Sequence, residues 1–444
     1  MRRILSFLLT FCLLAAPLPA LATQDTAAAA QDVLFALADG EYAAVFAQCD
    51  PAMREALGDA DGLADVWRQL TDMMGALEDA QAADAGEQSG YRLVSAQCAF
   101  ARADAVLSLA FDAQGRLCSL GLVDMRARET AAEADAGGYV EEEIALRAGE
   151  ADETGGLLTL PEGDGPFPAV ILVHGSGPSD RDETAYVHAP FRDIAHGLAR
   201  LGVASVRYDK YTYAHPQLCL DADFTVDDEY TRDAVDAAEL LAGDARIGGI
   251  YLLGHSQGAM LAPRIMRAVR EKIGKRLCGG VLLAGSPLHM WQIQYRQNLD
   301  VLAALGDAAT QEDRAMIEAE AAKAETLTGL SAAQLQAETL FGISAFYQAG
   351  EMSVDAARLA AQLDLPLFIA QGAKDWQVRP EDGIDAWRAA LPEDMDVTYR
   401  LYADMNHMLI DMEGEPTGSA ADYMDADART SEELIEDIAA WILS

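Results

Sequence analysis

Three features of the 444-residue sequence predict a doubly wound, mostly parallel α/β sheet with a helical cap, preceded by a small α+β unit. Beyond residue 140, short apolar runs alternate with amphipathic stretches. One run meets its helix through a G-x-S-x-G pentapeptide. From residue 31 to about 123 the order differs, with helical spacing first and strand alternation after.

In the first part Val33, Leu34 and Leu37, then Val66, Leu70, Met73 and Met74, recur at helical spacing. After Gly90 the apolar positions alternate: Val94, Ala96, Cys98 and Phe100 share one parity. Ala105 to Leu109 and Leu117 to Val123 follow, separated by the turn signal Asp112 to Gly115. Helices followed by a meander make an α+β unit over 23–127. Residues 128–140, rich in Ala, Glu, Asp and Gly, read as a solvated linker.

The larger domain, 141–444, carries strands at Ala169–Val173, Val203–Val206, Ile250–Leu253, Val281–Ala284, Leu365–Ala370 and Val397–Tyr402. Helices are expected at Phe191–Leu201, around Val235–Leu241 and from Ala259. Short apolar strands separated by amphipathic helices bury both faces of a parallel sheet. Residues 288–362 show helical periodicity and no strand, and read as a cap inserted after a strand or as extra packing on the sheet.

Arg2-Arg3, the apolar run Ile4–Leu18 and Ala20-Leu21-Ala22 have the charged, apolar, small-residue order of a secretory signal peptide, so residues 1–22 are expected to be removed and the remainder exported. The run is shorter than the ~20 residues a spanning helix needs, and no later segment is long enough. A formal charge of −40 opposes nucleic acid and anionic membrane surfaces as partners. Beyond Cys12, five cysteines without close spacing outline neither a metal knuckle nor a disulfide framework. Cys98 has Cys118 and Cys49 as candidate partners, with connectivity open. No phosphate loop, dinucleotide fingerprint or metal-binding histidine pair occurs, so no cofactor or metal is implied.

The pentapeptide Gly254-His255-Ser256-Gln257-Gly258 follows the apolar strand and opens a helix. A serine on so sharp a turn needs glycines beside it, and the turn lifts its hydroxyl clear of the sheet. It also aims the Gln257 N–H at the place where charge grows on a substrate carbonyl. A serine nucleophile needs a base and an orienting carboxylate. Of the two later histidines, His289 opens the cap, whereas His407 follows the terminal strand in a short loop. Asp375 stands after the preceding strand; Asp364 lies at that strand's wrong end and Asp404 is too near His407 in sequence.

The loop His174-Gly175-Ser176-Gly177-Pro178 supplies a second oxyanion donor, the Ser176 N–H, with His174 structural. The charged run Ser179–Glu183 either orders the site or binds polar substrate groups. Trp291 and Tyr295 in the cap, and Trp376 beside the acid, are candidate substrate-binding residues or ordinary core aromatics.

The His174–Asp182 loop, Arg207-Tyr-Asp-Lys210, Leu253–Gly258 with Met260-Leu-Ala-Pro263, Gln371-Gly-Ala-Lys-Asp375 and Asn406-His407 resemble the α/β-hydrolase superfamily over about 140–444. The group it resembles includes bacterial carboxylesterases and dienelactone-hydrolase-like or serine-aminopeptidase-like enzymes. Gln257 stands where similar patterns often carry Leu or Gly. The resemblance implies a Ser256-His407-Asp375 triad, an acyl-enzyme and a small-molecule ester or acyl substrate, with no cofactor. It does not separate esterase from peptidase, thioesterase or acyltransferase. The first domain resembles the cone-shaped domains similar to nuclear transport factor 2, of the DUF3887 type that precedes some hydrolases. A non-catalytic envelope binder is the rival from another class.

Overall fold

The computed structural model describes residues 26–88, 90–128, 137–306, 309–425 and 427–444. The expected signal peptide and 129–136 of the expected linker lie outside them. Two compact units divide the chain, Met1–Ala131 and Ala132–Ser444. Among the described residues no helix is long and apolar enough to cross a membrane.

In the first unit, helices α1 (Thr26–Ala38), α2 (Tyr42–Gln48), α3 (Pro51–Leu57) and α4 (Ala60–Met74) precede an antiparallel meander of β1 (Leu77–Gln88), β2 (Tyr91–Phe100), β3 (Ala103–Phe111) and β4 (Leu117–Ala127). Asp50 and Asp59 cap α3 and α4 by accepting from Met53 and Gly62 amides. Val94, Ala96, Cys98 and Phe100 are buried together with Leu107 and Leu109, as their parity predicts. Strand β1 carries no such alternation. Its polar, alanine-rich residues form an edge strand held by pairing with β2, which supplies the order that its own propensity lacks.

The five described cysteines are free thiols, which corrects the suggested pairing of Cys98. Cys98 pairs in register with Ala105, and Ala105 with Met125, so Cys98 sits at the opposite end of the meander from Cys118. Cys49 is bridged to Leu117 at that far end. Several residues of strand length thus separate Cys98 from both, more than the Cα separation that a disulfide allows.

The second unit holds an eight-stranded sheet of β5 (Tyr139–Leu146), β6 (Thr154–Pro161), β7 (Phe167–Val173), β8 (Ala204–Tyr208), β9 (Ile247–His255), β10 (Leu277–Leu283), β13 (Leu367–Gly372) and β14 (Val397–Tyr402). The spatial order is β14-β13-β10-β9-β7-β8-β6-β5. From β8 to β14 all pairs are parallel; β6 runs antiparallel to β8 and forms a hairpin with β5. This hairpin has no clear sequence signal, because Glu141, Glu142 and Glu143 break any apolar pattern on its edge strand. Alternate residues feed two cores. Ile171 and Val173 pack with α6 (Arg232–Gly243) and α7 (Gln257–Ile273), while Val170 and Leu172 pack with α5 (Pro190–Arg200) and the helix Glu432–Leu443. Helices therefore cover both faces.

Between β10 and β13 come α8 (Met290–Leu305), α9 (Gln311–Leu327), a short helix Ala332–Gln336, α10 (Ala345–Met352) and α11 (Ala356–Leu363). The expectation of no strand here is corrected by a small hairpin, β11 (Thr339–Leu340) with β12 (Ile343–Ser344). Two-residue strands are too short to show alternation, and their turn rests on positive φ at Phe341 and Gly342. The insertion has its own small core of Ala324, Leu327, Leu335, Leu340 and Ala345.

Candidate active site

The parallel strands β7, β9, β10, β13 and β14 end at one edge of the sheet, where five loops converge. Ser256 follows β9 with φ 52° and ψ −116°, and α7 begins at the next residue. Its N–H donates to Leu283 O on the neighbouring strand at 2.8 Å. A Cβ on Gly254 would stand 2.4 Å from the Gly258 carbonyl carbon, and one on Gly258 would stand 2.3 Å from Val173 O. The two glycines let strand, turn and helix approach this closely, which is why the pentapeptide has small residues on both sides of the serine.

His407 lies in a tight loop after β14. Buried Asn406 shapes the loop, its Oδ1 accepting from the amides of Met408 at 2.9 Å and Ile410 at 3.3 Å. Gly372 lets this loop pass close over β13: a Cβ there would meet the Met405 carbonyl oxygen at 2.0 Å. His407 Nε2 is 3.1 Å from Ser256 Oγ, and His407 Nδ1 is 2.8 Å from Asp375 Oδ2. Asp375 Oδ1 accepts from the amides of Gln377 and Val378 at 2.9 Å each. Gln371 Nε2, at the end of β13, donates to Asp375 Oδ2 at 2.6 Å and to Val378 O at 2.7 Å. Gln371 opens the motif Gln371-Gly-Ala-Lys-Asp375, but nothing in its spacing marks it as the partner of Asp375. Asp404 pairs with Lys374 at 2.8 Å, and His289 with Glu351 at 3.2 Å, so neither joins this chain of bonds.

The loop after β7 brings Gly175 against Ser256: a Cβ on Gly175 would stand 3.2 Å from Ser256 Cβ. Gly175 N–H donates to Glu183 Oε1 at 2.6 Å. Ser176 is exposed at this rim. Gln257 is the first residue of α7, where backbone N–H groups have no partner within the helix.

The charged run orders the site rather than facing solvent freely. Asp180 accepts from the Asp182 and Thr184 amides, Arg181 pairs with Asp209 at 2.8 Å, and Asp182 with buried Arg207 at 2.8 Å. Buried His174 lies with Nε2 2.9 Å from Asp180 O, and burial lowers its imidazole to about 4, so it stays neutral. Glu183 Oε2 is 3.0 Å from His255 Nδ1, and His255 Nε2 is 2.9 Å from His407 O. Burial opposes a charge on His255, but the adjacent Glu183 carboxylate outweighs it and the imidazole is raised overall. This buried pair ties the loop after β7 to the loop of His407.

Trp291 packs against the small core of the cap, and Trp376 stacks on Tyr423 with ring centroids 6.0 Å apart, beside Met408 and Ile410. Both indole Nε1 atoms are buried without a hydrogen-bond partner among the described residues. Tyr295, one turn after Trp291 on α8, is half-buried.

The family described as serine aminopeptidase, S33, matches residues 166–415, more than half of the chain. The chain belongs to this α/β-hydrolase family. The matched S33 region spans β7 to the loop after β14, and so contains Ser256, Asp375 and His407. A protein family of unknown function, DUF3887, matches residues 30–120. Esterase EstD of Thermotoga maritima is 29% identical over 385 residues, covering 86% of this chain and 87% of its own. Among solved structures, Est1E from Butyrivibrio proteoclasticus is similar at 12% identity and a TM-score of 0.43, covering 68% of this chain and 98% of its own. A hyperthermophilic esterase from the archaeon Pyrobaculum calidifontis is similar at 18% identity and a TM-score of 0.41, covering 70% and 85%.

Proposed function

We propose that this S33-family hydrolase cleaves carboxylic esters of small molecules through an acyl-enzyme on Ser256. The observation that carries the reading is the continuous chain from Ser256 Oγ through His407 to Asp375, at 3.1 and 2.8 Å. The similarity to an esterase along most of both chains supports the bond class.

His407 Nε2 takes the hydroxyl proton as Ser256 Oγ attacks the acyl carbon. Asp375 holds the Nδ1–H tautomer and stabilises the imidazolium. The backbone amides of Ser176 and Gln257 receive the oxyanion; Gly175 N–H is already committed to Glu183. His407 returns the proton to the leaving alcohol, and water repeats the sequence to release the acid. Hydrolysis of p-nitrophenyl acetate by the wild type and by Ser256→Ala tests this. Equal rates in the two proteins would remove the serine mechanism.

A peptidase reading is favoured by the description of the matched family. Comparing p-nitrophenyl esters with aminoacyl p-nitroanilides at equal concentration decides between them, ester preference supporting the first reading. The order of residues 2–22 supports export with cleavage before Thr23, and N-terminal sequencing of the mature protein from the producing cell checks that step.

A further inference from the structure

A buried cation stands behind the loop after β7. Lys210 is 1% exposed, and four oxygens surround its Nζ: Gly175 O at 2.8 Å, Gly177 O at 2.9 Å, Tyr230 Oη at 2.6 Å and Glu229 Oε1 at 2.7 Å. The network continues outward. Tyr230 Oη is 2.9 Å from Gln257 Oε1, Gln257 Nε2 is 3.3 Å from Tyr347 Oη, and Tyr347 Oη donates to Glu229 Oε2 at 2.6 Å. Every one of these side chains except Gln257 is remote in sequence from the nucleophile, and Tyr347 comes from α10 of the cap.

We propose that Lys210 is a positioning residue for the oxyanion hole: by holding the Gly175 carbonyl it turns the Ser176 N–H toward the substrate, and through Tyr230 it fixes Gln257. The planarity of the peptide bond couples the two groups. Gly175 C=O and Ser176 N–H belong to one trans peptide, so they point in opposite directions. With the carbonyl drawn into the buried network, the N–H faces away from it, on a segment packed against Ser256. The second anchor, Gly177 O, belongs to the peptide of Pro178, which has no N–H to misdirect. Gln257 has its amide oxygen and nitrogen both engaged, which gives a reason for a polar residue where Leu or Gly would make no such bonds. An ammonium suits this task because it carries three donors and, surrounded by protein oxygens, leaves no buried charge unpaired.

The proposal rests on the ester-hydrolase reading, and a readout independent of turnover keeps the two apart. Phenylboronic acid adds to a nucleophilic serine to form a tetrahedral anion, which mimics the charge that the oxyanion donors bind. The variant is Lys210→Met/Glu229→Gln, in which no unpaired charge is left behind; Lys210→Met alone accompanies it. In the double variant kcat for p-nitrophenyl acetate is expected to fall ~10- to 100-fold with KM within about twofold, and phenylboronic acid to bind ~10- to 100-fold more weakly. Cooperative thermal unfolding is retained. Wild-type boronate affinity in the folded variant overturns the proposal, as does a fall in kcat with the boronate unaffected. If neither variant folds, Tyr230→Phe, which loses a single hydroxyl, must weaken the boronate more than it raises KM, or the proposal fails. A wild-type protein that binds boronate at Ser256 but cleaves no ester counts against the hydrolase reading alone.

Discussion

Gly175 gives its backbone N–H to Glu183 Oε1 at 2.6 Å, although a Cβ on Gly175 would stand only 3.2 Å from Ser256 Cβ. That donor beside Ser256 is therefore spent on structure. Glu183→Ala removes that acceptor and leaves His255 without its carboxylate, so kcat is expected to fall ~10- to 100-fold. Glu183→Gln keeps an acceptor oxygen and is expected to lose less. Steady-state kinetics of the two variants check the order; activity unchanged in Glu183→Ala would refute it.

Asp375→Asn leaves the shape of the site but offers His407 Nδ1 an amide that can hold the wrong tautomer. A fall in kcat of ~10⁴ is expected, with KM little changed. Gln371→Leu removes one neutral donor to the same carboxylate and should cost far less, about tenfold. Comparing both with p-nitrophenyl acetate orders their effects, and a Gln371→Leu loss as large as that of Asp375→Asn would contradict the assigned roles.

Gly254→Ala places a Cβ 2.4 Å from backbone atoms of Gly258, which a rotamer change cannot relieve. Destabilisation of about 3 kcal/mol is expected from overpacking. Urea denaturation reads it directly; a midpoint equal to that of the wild type would show that the turn can relax.

Stability should decline as pH falls from 6.5 towards 4. Burial lowers the imidazoles of His174 and His188 to about 4 from an ordinary value near 6.5. In that window the unfolded chain binds protons that the folded chain refuses, so their contribution is complete above 6.5 and is lost as pH drops through 4. Denaturation midpoints at pH 7, 5.5 and 4.5 measure the slope. His174→Gln, which can still donate to Asp180 O, should flatten it, and an unaltered slope would assign the acid sensitivity elsewhere.

The parts of this protein that were legible in the sequence share one property: their cause is local. Val94 to Phe100 alternate because each side chain of a half-buried strand meets either helix or solvent. The strand before Gly254 and the helix after Gln257 carry their own apolar patterns. By contrast β1 has no alternation, and β5 with its three glutamates has little, because both are edge strands whose order comes from a neighbour. Glu229, Tyr230 and Tyr347 gave no signal as site residues, since their spacing in the chain has no relation to their meeting point.

The sequence by itself determined the sharp turn at Ser256, the glycines that permit it and the set of histidines and carboxylates available to it, because backbone sterics and strand periodicity act over a few residues. Only the tertiary structure decided which of them meet: that His407 reaches Ser256 while His289 pairs with Glu351, that Gly175 spends its amide on Glu183, and that Lys210 lies beneath the loop after β7. Those choices follow from the parallel register of β7, β9, β13 and β14, which brings segments as far apart as Phe167 and Val397 to one edge of a sheet, and no short-range rule encodes that convergence.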